Sequence, residues 1–74
     1  MDATKLVDMA NRIGAFFAAM PDRSDSLEGI AMHIKRFWEP RMRRTLAAHL
    51  ESTGGAGLDG IVLAALRDHR SLWA

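Results

Sequence analysis

The chain has 74 residues, 49% of them hydrophobic, with no cysteine and a formal net charge of +1. This length fits one domain, residues 1–74, and the lack of cysteine excludes disulfide bonds and thiolate metal sites. The near-neutral charge speaks against a general nucleic-acid binder, and no uncharged apolar stretch approaches the ~18 residues of a membrane-spanning helix.

Apolar residues at helical spacing predict an all-α fold, a small single domain of about four short helices. The first helix covers about 3–20, and Pro21 ends it because helical geometry is disfavoured just before a proline. The second covers about 25–37, with Ser24 or Asp25 as its N-cap.

The second half of the chain predicts two more helices. The third covers about 40–52 and begins at a proline, whose missing N–H is not needed at the first helical position. The fourth covers about 59–69, with Asp59 as its N-cap and with Leu58 and Leu63 at the spacing of a hydrophobic staple. Connections this short place neighbouring helices roughly antiparallel or at a sharp crossing angle.

Four glycines have structural interpretations. Gly54, Gly55 and Gly57 follow the third helix with neither a preceding strand nor the Gly-Lys-Ser/Thr of a phosphate loop, so they indicate a helix C-cap and a tight turn. Gly29 lies inside the second helix, where the missing side chain leaves room for another helix to approach.

Catalytic and metal-binding patterns are missing from the sequence. His33, His49 and His69 have no second histidine or carboxylate four residues away, which favours ordinary surface or boundary histidines. Hydroxyl side chains lie near predicted helix ends, where they cap or turn the backbone: Ser24, Ser26, Thr45, Ser52 and Thr53. We therefore predict no enzymatic activity and no metal or cofactor in this chain.

The positive charge is concentrated in the middle of the chain. Residues 33–44 carry a net charge of +4, whereas residues 1–32 and 45–74 carry −2 and −1. Lys35 and Arg36 lie in the last turn of the second helix, where cations complement the helix dipole. A cationic and aromatic segment on an otherwise balanced helical chain is interpreted as a docking surface. A chain this small also gains stability from any partner that binds only its folded state.

Three arginines have no such local explanation. Arg41, Arg43 and Arg44 fall in the first turns of the third helix, beside its positive end. Glu39 offsets one of them, most simply as the i, i+4 partner of Arg43. The arrangement suggests an anionic or carbonyl-rich partner, because arginine suits bidentate recognition. The alternative is a solvated face tolerated at modest cost.

The aromatic residues divide between core and surface. Phe37 is predicted to pack in the core, and Trp38 either packs there or stacks on Arg41 as a cation–π pair. Phe16 and Phe17 are adjacent on the first helix, where apolar surface in excess of one small core can form a binding patch.

Several segments, in this order, resemble a known family. They are Met-Ala-Asn-Arg-Ile-Gly-Ala-Phe-Phe at 9–17, Pro-Asp-Arg at 21–23, His-Ile-Lys-Arg-Phe-Trp-Glu-Pro-Arg-Met-Arg at 33–43, and Gly-Gly-Ala-Gly-Leu at 54–58. The chain resembles the delta subunit of the NAD-dependent, molybdenum-containing formate dehydrogenases, and the run at 33–43 is the most specific part of the resemblance.

The resemblance implies a non-catalytic accessory subunit that docks on the catalytic alpha subunit and supports its assembly, stability or cofactor maturation. The partner subunits are expected to carry the bis-pterin molybdenum cofactor, iron–sulfur clusters, FMN and the NAD site. We expect a cytoplasmic protein that binds neither nucleic acid nor membrane and that could self-associate when isolated. The residues predicted to contact the partner are the following: Phe16, Phe17, Arg36, Phe37, Trp38, Arg41, Arg43 and Arg44.

An alternative function comes from the basic helix 40–52. Its arginines lie at the N-terminal end, where the recognition helix of a helix-turn-helix protein contacts bases, so a small nucleic-acid-binding protein remains open. The acidic residues on both sides of the basic segment speak against it.

Overall fold

Five α-helices make up the computed structural model, which describes residues 2–74. They are α1 (Ala3–Phe17), α2 (Arg23–Phe37), α3 (Pro40–Thr53), α4 (Gly60–Asp68) and α5 (Arg70–Trp73). No strand occurs within the described residues, and the all-α prediction is confirmed. None of the helices in this part of the chain combines the length and the apolar character needed to cross a bilayer.

Helix α2 is the centre of the fold, because it packs against α1, α4 and α5. Helix α1 also packs against α3 and α4. Each helix turns one apolar stripe inward, as the helical spacing of its sequence predicts. The buried apolar residues are Leu6, Val7, Ala10, Leu27, Ile30, Ala31, Ile34, Trp38, Leu46, Leu50, Val62, Ala65, Leu66 and Trp73.

Helix α1 ends at Phe17, three residues before the predicted end near residue 20. Pro21 has no N–H to donate to the Phe17 carbonyl four residues earlier, so the helical ladder cannot continue past this point. That carbonyl accepts instead from the Met20 N–H at 3.1 Å and from the Ser26 hydroxyl at 2.8 Å. The bond from Ser26 ties the end of α1 to the first turns of α2.

Helix α2 begins earlier than predicted. Its N-cap is Asp22, whose Oδ1 accepts from the backbone N–H of Asp25 at 3.2 Å. The predicted caps, Ser24 and Asp25, are therefore wrong, and both residues lie within the first helical turn. An acidic residue there is favourable because the helix dipole is positive at that end.

The loop after α3 forms the predicted C-cap and tight turn. Gly54 adopts φ 74°, the left-handed conformation that closes a helix at low steric cost in glycine. The Thr53 hydroxyl oxygen accepts from the N–H groups of Gly55 and Ala56, at 3.1 and 2.9 Å. The C-cap interpretation of the glycine segment is confirmed.

Asn11 fixes this loop to α1. Its Nδ2 donates to the Gly57 carbonyl at 3.0 Å, and its Oδ1 accepts from the Asp59 N–H at 2.9 Å. Asp59 occupies the N-cap position of α4 as predicted, but its carboxylate makes no capping hydrogen bond. The start of α4 is therefore held by a side chain from another helix.

Helix α5 was not among the predicted elements. Helix α4 ends at Asp68, close to the predicted end, and the chain then makes one further turn. Trp73 on that turn is fully buried, and its indole Nε1 donates to the Leu66 carbonyl at 2.8 Å. The turn exists because Trp73 fills the core between α2 and α4, which α5 contacts.

The contact between α1 and α4 depends on Gly14. A Cβ at this buried position would overlap Cγ2 of Val62, which is itself fully buried and has no space to move into. We expect Gly14→Ala to lower the free energy of unfolding by up to about 2 kcal/mol, because an overpacking cost of about 1–3 kcal/mol outweighs the ~1 kcal/mol helix-propensity gain.

Urea denaturation followed by far-UV circular dichroism measures this effect. Gly60→Ala is the control, because a Cβ at Gly60 in the first turn of α4 meets nothing within 4 Å. Equal stability of the two variants would contradict the proposed close packing of α1 on α4.

Candidate docking surface

The structure separates the residues predicted to contact a partner into three environments. Phe16, Phe17, Arg36 and Phe37 lie around two neighbouring surface depressions. The arginines at the start of α3 lie at the surface elsewhere, and Trp38 is in the core. The single contact corner predicted from the sequence is therefore divided.

Four aromatic rings form a continuous row across the end of α1 and the second half of α2. The centroids of Phe16 and Phe17 are 5.2 Å apart, those of Phe17 and His33 6.1 Å, and those of His33 and Phe37 4.7 Å. Phe16–Phe17 and Phe17–His33 meet edge to face, a favourable aromatic geometry. We call Phe16, Phe17, His33 and Phe37 the aromatic face.

Gly29 sets the position of this row on α2. A Cβ built on Gly29 would lie 2.6 Å from two atoms of the Phe17 ring. The predicted close approach at this glycine is confirmed, and the approaching group is an aromatic side chain of α1. The ring of Phe17 is therefore held between Gly29 and its aromatic neighbours.

Phe16 and Phe37 project from the aromatic face into solvent. They are 75% and 70% exposed, the highest values among the large apolar residues of 2–74. Adjacent helical residues point about 100° apart, so only one of Phe16 and Phe17 can face α2. The chain holds three phenylalanines, and none lies in the buried core.

The predicted core role of Phe37 is wrong, and the core role of Trp38 is confirmed. Phe37 is the last residue of α2, and the backbone turns extended at Trp38, with φ −93° and ψ 136°. Trp38 lies four residues after the buried Ile34, whose carbonyl accepts from the Trp38 N–H at 3.0 Å. Its indole therefore continues the inward stripe of α2, and Trp38 is 5% exposed. No cation–π pair with Arg41 occurs among residues 2–74.

The two depressions lie on either side of the Phe17–His33 contact. One, of about 360 Å³, is lined by Phe17, Gly29, Met32, His33, Arg36 and Phe37. The other, of about 320 Å³, is lined by Arg12, Ile13, Phe16, Phe17 and His33. Each depression thus has an apolar floor and a single arginine, and no acidic side chain lines either one.

Arg12 and Arg36 are the charged groups of this surface. Both are exposed, and within residues 2–74 neither guanidinium has a hydrogen-bond or salt-bridge partner. Arg36 lies in the last turn of α2, where the helix dipole favours a cation. Their donors are free to bind an external anion.

Arg43 has an internal role. Its Nη1 donates to the Trp38 carbonyl at 2.7 Å and to the Lys35 carbonyl at 3.3 Å, which are carbonyls at the C-terminal end of α2. The predicted ion pair of Arg43 with Glu39 does not form: the salt bridge present in residues 2–74 joins Arg70 to Glu51.

Arg41 and Arg44 remain exposed near the start of α3. Arg44 contributes to a recess of about 190 Å³, whose lining is Pro40, Arg43, Arg44, Ala47 and Ala74. This recess shares no lining residue with the aromatic face.

The histidines have separate surroundings. His33 belongs to the aromatic face, and the Nε2 of His49 lies 2.7 Å from the Ala56 carbonyl, which it bonds as donor. His69 joins α4 to α5. Within residues 2–74 no group of three His, Cys, Asp or Glu side chains is arranged to hold a metal ion.

The sequence reasoning missed Arg12 and His33 as parts of this surface. A signal was available for both: Arg12 precedes Phe16 by four residues on α1, and His33 precedes Phe37 by four on α2. Residues four apart on a helix are neighbours on its surface. Joining these pairs across two helices required the contact between Phe17 and Gly29.

Residues 5–66 match the family model described as "NADH-dependant formate dehydrogenase delta subunit FdsD". The chain belongs to this delta-subunit family. The match includes every residue of the aromatic face and ends before α5. The resemblance noted in the sequence is thereby confirmed. No curated protein and no solved structure significantly matches this delta-subunit family member.

Proposed function

We propose that the chain is a non-catalytic accessory subunit that docks on the catalytic subunit of an NAD-dependent formate dehydrogenase in the cytoplasm. The observation that carries the proposal is membership of the delta-subunit family over residues 5–66. Docking supports the assembly, stability or cofactor maturation of the catalytic subunit. The bis-pterin molybdenum cofactor, the iron–sulfur clusters, FMN and the NAD site belong to the partner subunits.

The surface of the chain is consistent with docking. Phe16 and Phe37 expose most of their side chains, and burying one such ring against a partner contributes about 1.5–3 kcal/mol. The chain has no cysteine to ligate an iron–sulfur cluster. We therefore assign it a binding role and assign the redox chemistry to its partners.

Nucleic-acid binding through α3 is the second candidate. The exposed Arg41 and Arg44 at the N-terminal end of that helix support it, whereas Arg43 already donates to two backbone carbonyls of the chain. A mobility-shift assay at low salt separates the two candidates, because phosphate contacts weaken steeply as salt is added. We expect no shift, and a salt-sensitive shift would support the second candidate.

Deletion of the gene for this chain in its own host tests the proposed function. We expect the deletion to lower both NAD-dependent formate oxidation and the molybdenum content of the purified catalytic subunit at least fivefold, about 1 kcal/mol in equilibrium terms. Re-expression of the chain should restore both. Unchanged activity and molybdenum content would contradict the proposal, as would formate oxidation by the pure chain alone.

A further inference from the structure

We propose that the aromatic face binds an apolar patch rimmed by carboxylates on the catalytic subunit. Phe16 and Phe37 insert as two anchors, and Arg12 and Arg36 pair with acidic side chains beside them. This inference rests on the proposed function, because it names the chemistry of the surface that the accessory subunit recognises.

The exposure and the mutual contacts of the aromatic rings support an apolar contact with the partner. Phe16 and Phe37 are the two most exposed large apolar residues of the described chain, and both belong to one row of rings in mutual contact. Phe17 fixes that row against Gly29. A phenylalanine side chain has only two rotatable bonds and therefore loses little conformational freedom on binding, and aromatic residues are enriched at interface hot spots.

The arginines that line the two depressions support acidic groups on the partner. Each contains one arginine without a partner in residues 2–74, and neither contains a carboxylate. An arginine beside an apolar floor forms strong charge-assisted hydrogen bonds when a partner supplies a carboxylate and excludes water. A complementary surface therefore has acidic groups on both sides of its apolar centre.

A second copy of this chain does not fit the same surface. A twofold interface brings the same patch of both subunits together, so Arg12 and Arg36 would meet the same cations of the other copy. Like charges facing each other across an interface disfavour association. The positive charge of the surface thus favours a different, acidic partner.

Co-purification through a tag on the catalytic subunit tests the inference in the host that lacks the native chain. Each chain variant is expressed there, and the ratio of chain to catalytic subunit is divided by the total chain in the lysate. Phe16→Ala with Phe37→Ala removes the anchors, and Arg12→Glu with Arg36→Glu reverses the charges. Circular dichroism of each purified variant verifies its helical content.

Two controls match the test variants. Lys5→Glu with Arg23→Glu makes the same change in net charge on the same two helices, at exposed positions that line neither depression. Met9→Ala with Met20→Ala truncates the two other exposed large apolar residues. We expect at least a tenfold lower ratio for both test pairs, about 1.4 kcal/mol, and less than a threefold change for both controls.

The outcomes separate the inference from the function on which it rests. A wild-type ratio at background, both in this host and in cells without the molybdenum cofactor, overturns the proposed function and the inference together. Wild-type recovery that either test pair leaves unchanged overturns the inference alone. A homodimer of the isolated chain that Phe16→Ala with Phe37→Ala converts to a monomer, seen by sedimentation, assigns the surface to a second copy and also overturns it.

Discussion

Replacing Trp73 by alanine is expected to lower the free energy of unfolding by about 3–5 kcal/mol. Trp73 is fully buried, and its indole N–H donates to the Leu66 carbonyl at 2.8 Å. The substitution leaves a large cavity where α5 meets α2 and α4, and it also leaves a buried carbonyl without its donor. A domain of this length has a total stability of about 4–11 kcal/mol, so the loss is a large part of the whole.

Urea denaturation followed by far-UV circular dichroism measures the Trp73 effect. Trp73→Phe keeps most of the apolar volume but loses the indole donor, so it should cost less than Trp73→Ala. Ser71→Ala, at an exposed position of α5, should stay within about 0.5 kcal/mol of wild type. A loss below about 1 kcal/mol for Trp73→Ala would contradict the assignment of α5 to the core.

The adjacent residues Phe37 and Trp38 are expected to respond in opposite ways to alanine substitution. Trp38 is 5% exposed, so Trp38→Ala should lower the free energy of unfolding by about 3–5 kcal/mol. Phe37 is 70% exposed, so Phe37→Ala should change it by less than about 0.5 kcal/mol. Among variants that fold, Phe37→Ala should weaken binding to the partner more than Trp38→Ala, because of the two side chains only Phe37 is accessible to a partner.

Stability and co-purification measured on the same two variants check this contrast. Weak co-purification of Trp38→Ala would report loss of the fold and would not identify an interface. Phe37→Ala that is strongly destabilised, or Trp38→Ala with native stability, would contradict the placement of Phe37 at the surface and of Trp38 in the core.

Helix positions followed from the sequence because their signals are local. Helical spacing of apolar residues located α1 to α4, and the proline and glycine at the two ends of α3 have conformational preferences that need no tertiary contact. The end of α1 was predicted three residues too late. Pro21 already indicates the correct end, because its missing N–H leaves the carbonyl of Phe17, four residues earlier, without its helical donor.

The features that sequence reasoning missed depend on tertiary contacts. Helix α5 is one turn long and exists because Trp73 enters a core made by other helices. Phe37 and Trp38 differ in exposure because adjacent helical positions point about 100° apart, and the packing of α2 decides which of the two faces the core. Arg43 was predicted to contact a partner because the sequence shows no local role for it at the start of α3. Its two carbonyl acceptors, on Lys35 and Trp38, lie at the end of a different helix.

The candidate surface was predicted in part. Arg36 and Phe37 were predicted in a contact corner, and Phe16 or Phe17 as a separate apolar anchor. The structure brings the four residues to one face, and their role in binding a partner remains a prediction. Arg12 was missed because it lies far in sequence from the basic segment 33–44, and only the packing of α1 on α2 brings it to the same face.

Affinity purification of the tagged chain from its own host, with mass spectrometry of the proteins that come along, tests the central claim most directly. We expect recovery of a large subunit carrying molybdopterin and iron–sulfur clusters, in a fixed ratio to the chain. Weak recovery confined to cells without the molybdenum cofactor would assign the chain to maturation of the catalytic subunit and not to the finished complex. Recovery of the chain alone, as a monomer or a homodimer, would contradict docking on a formate dehydrogenase.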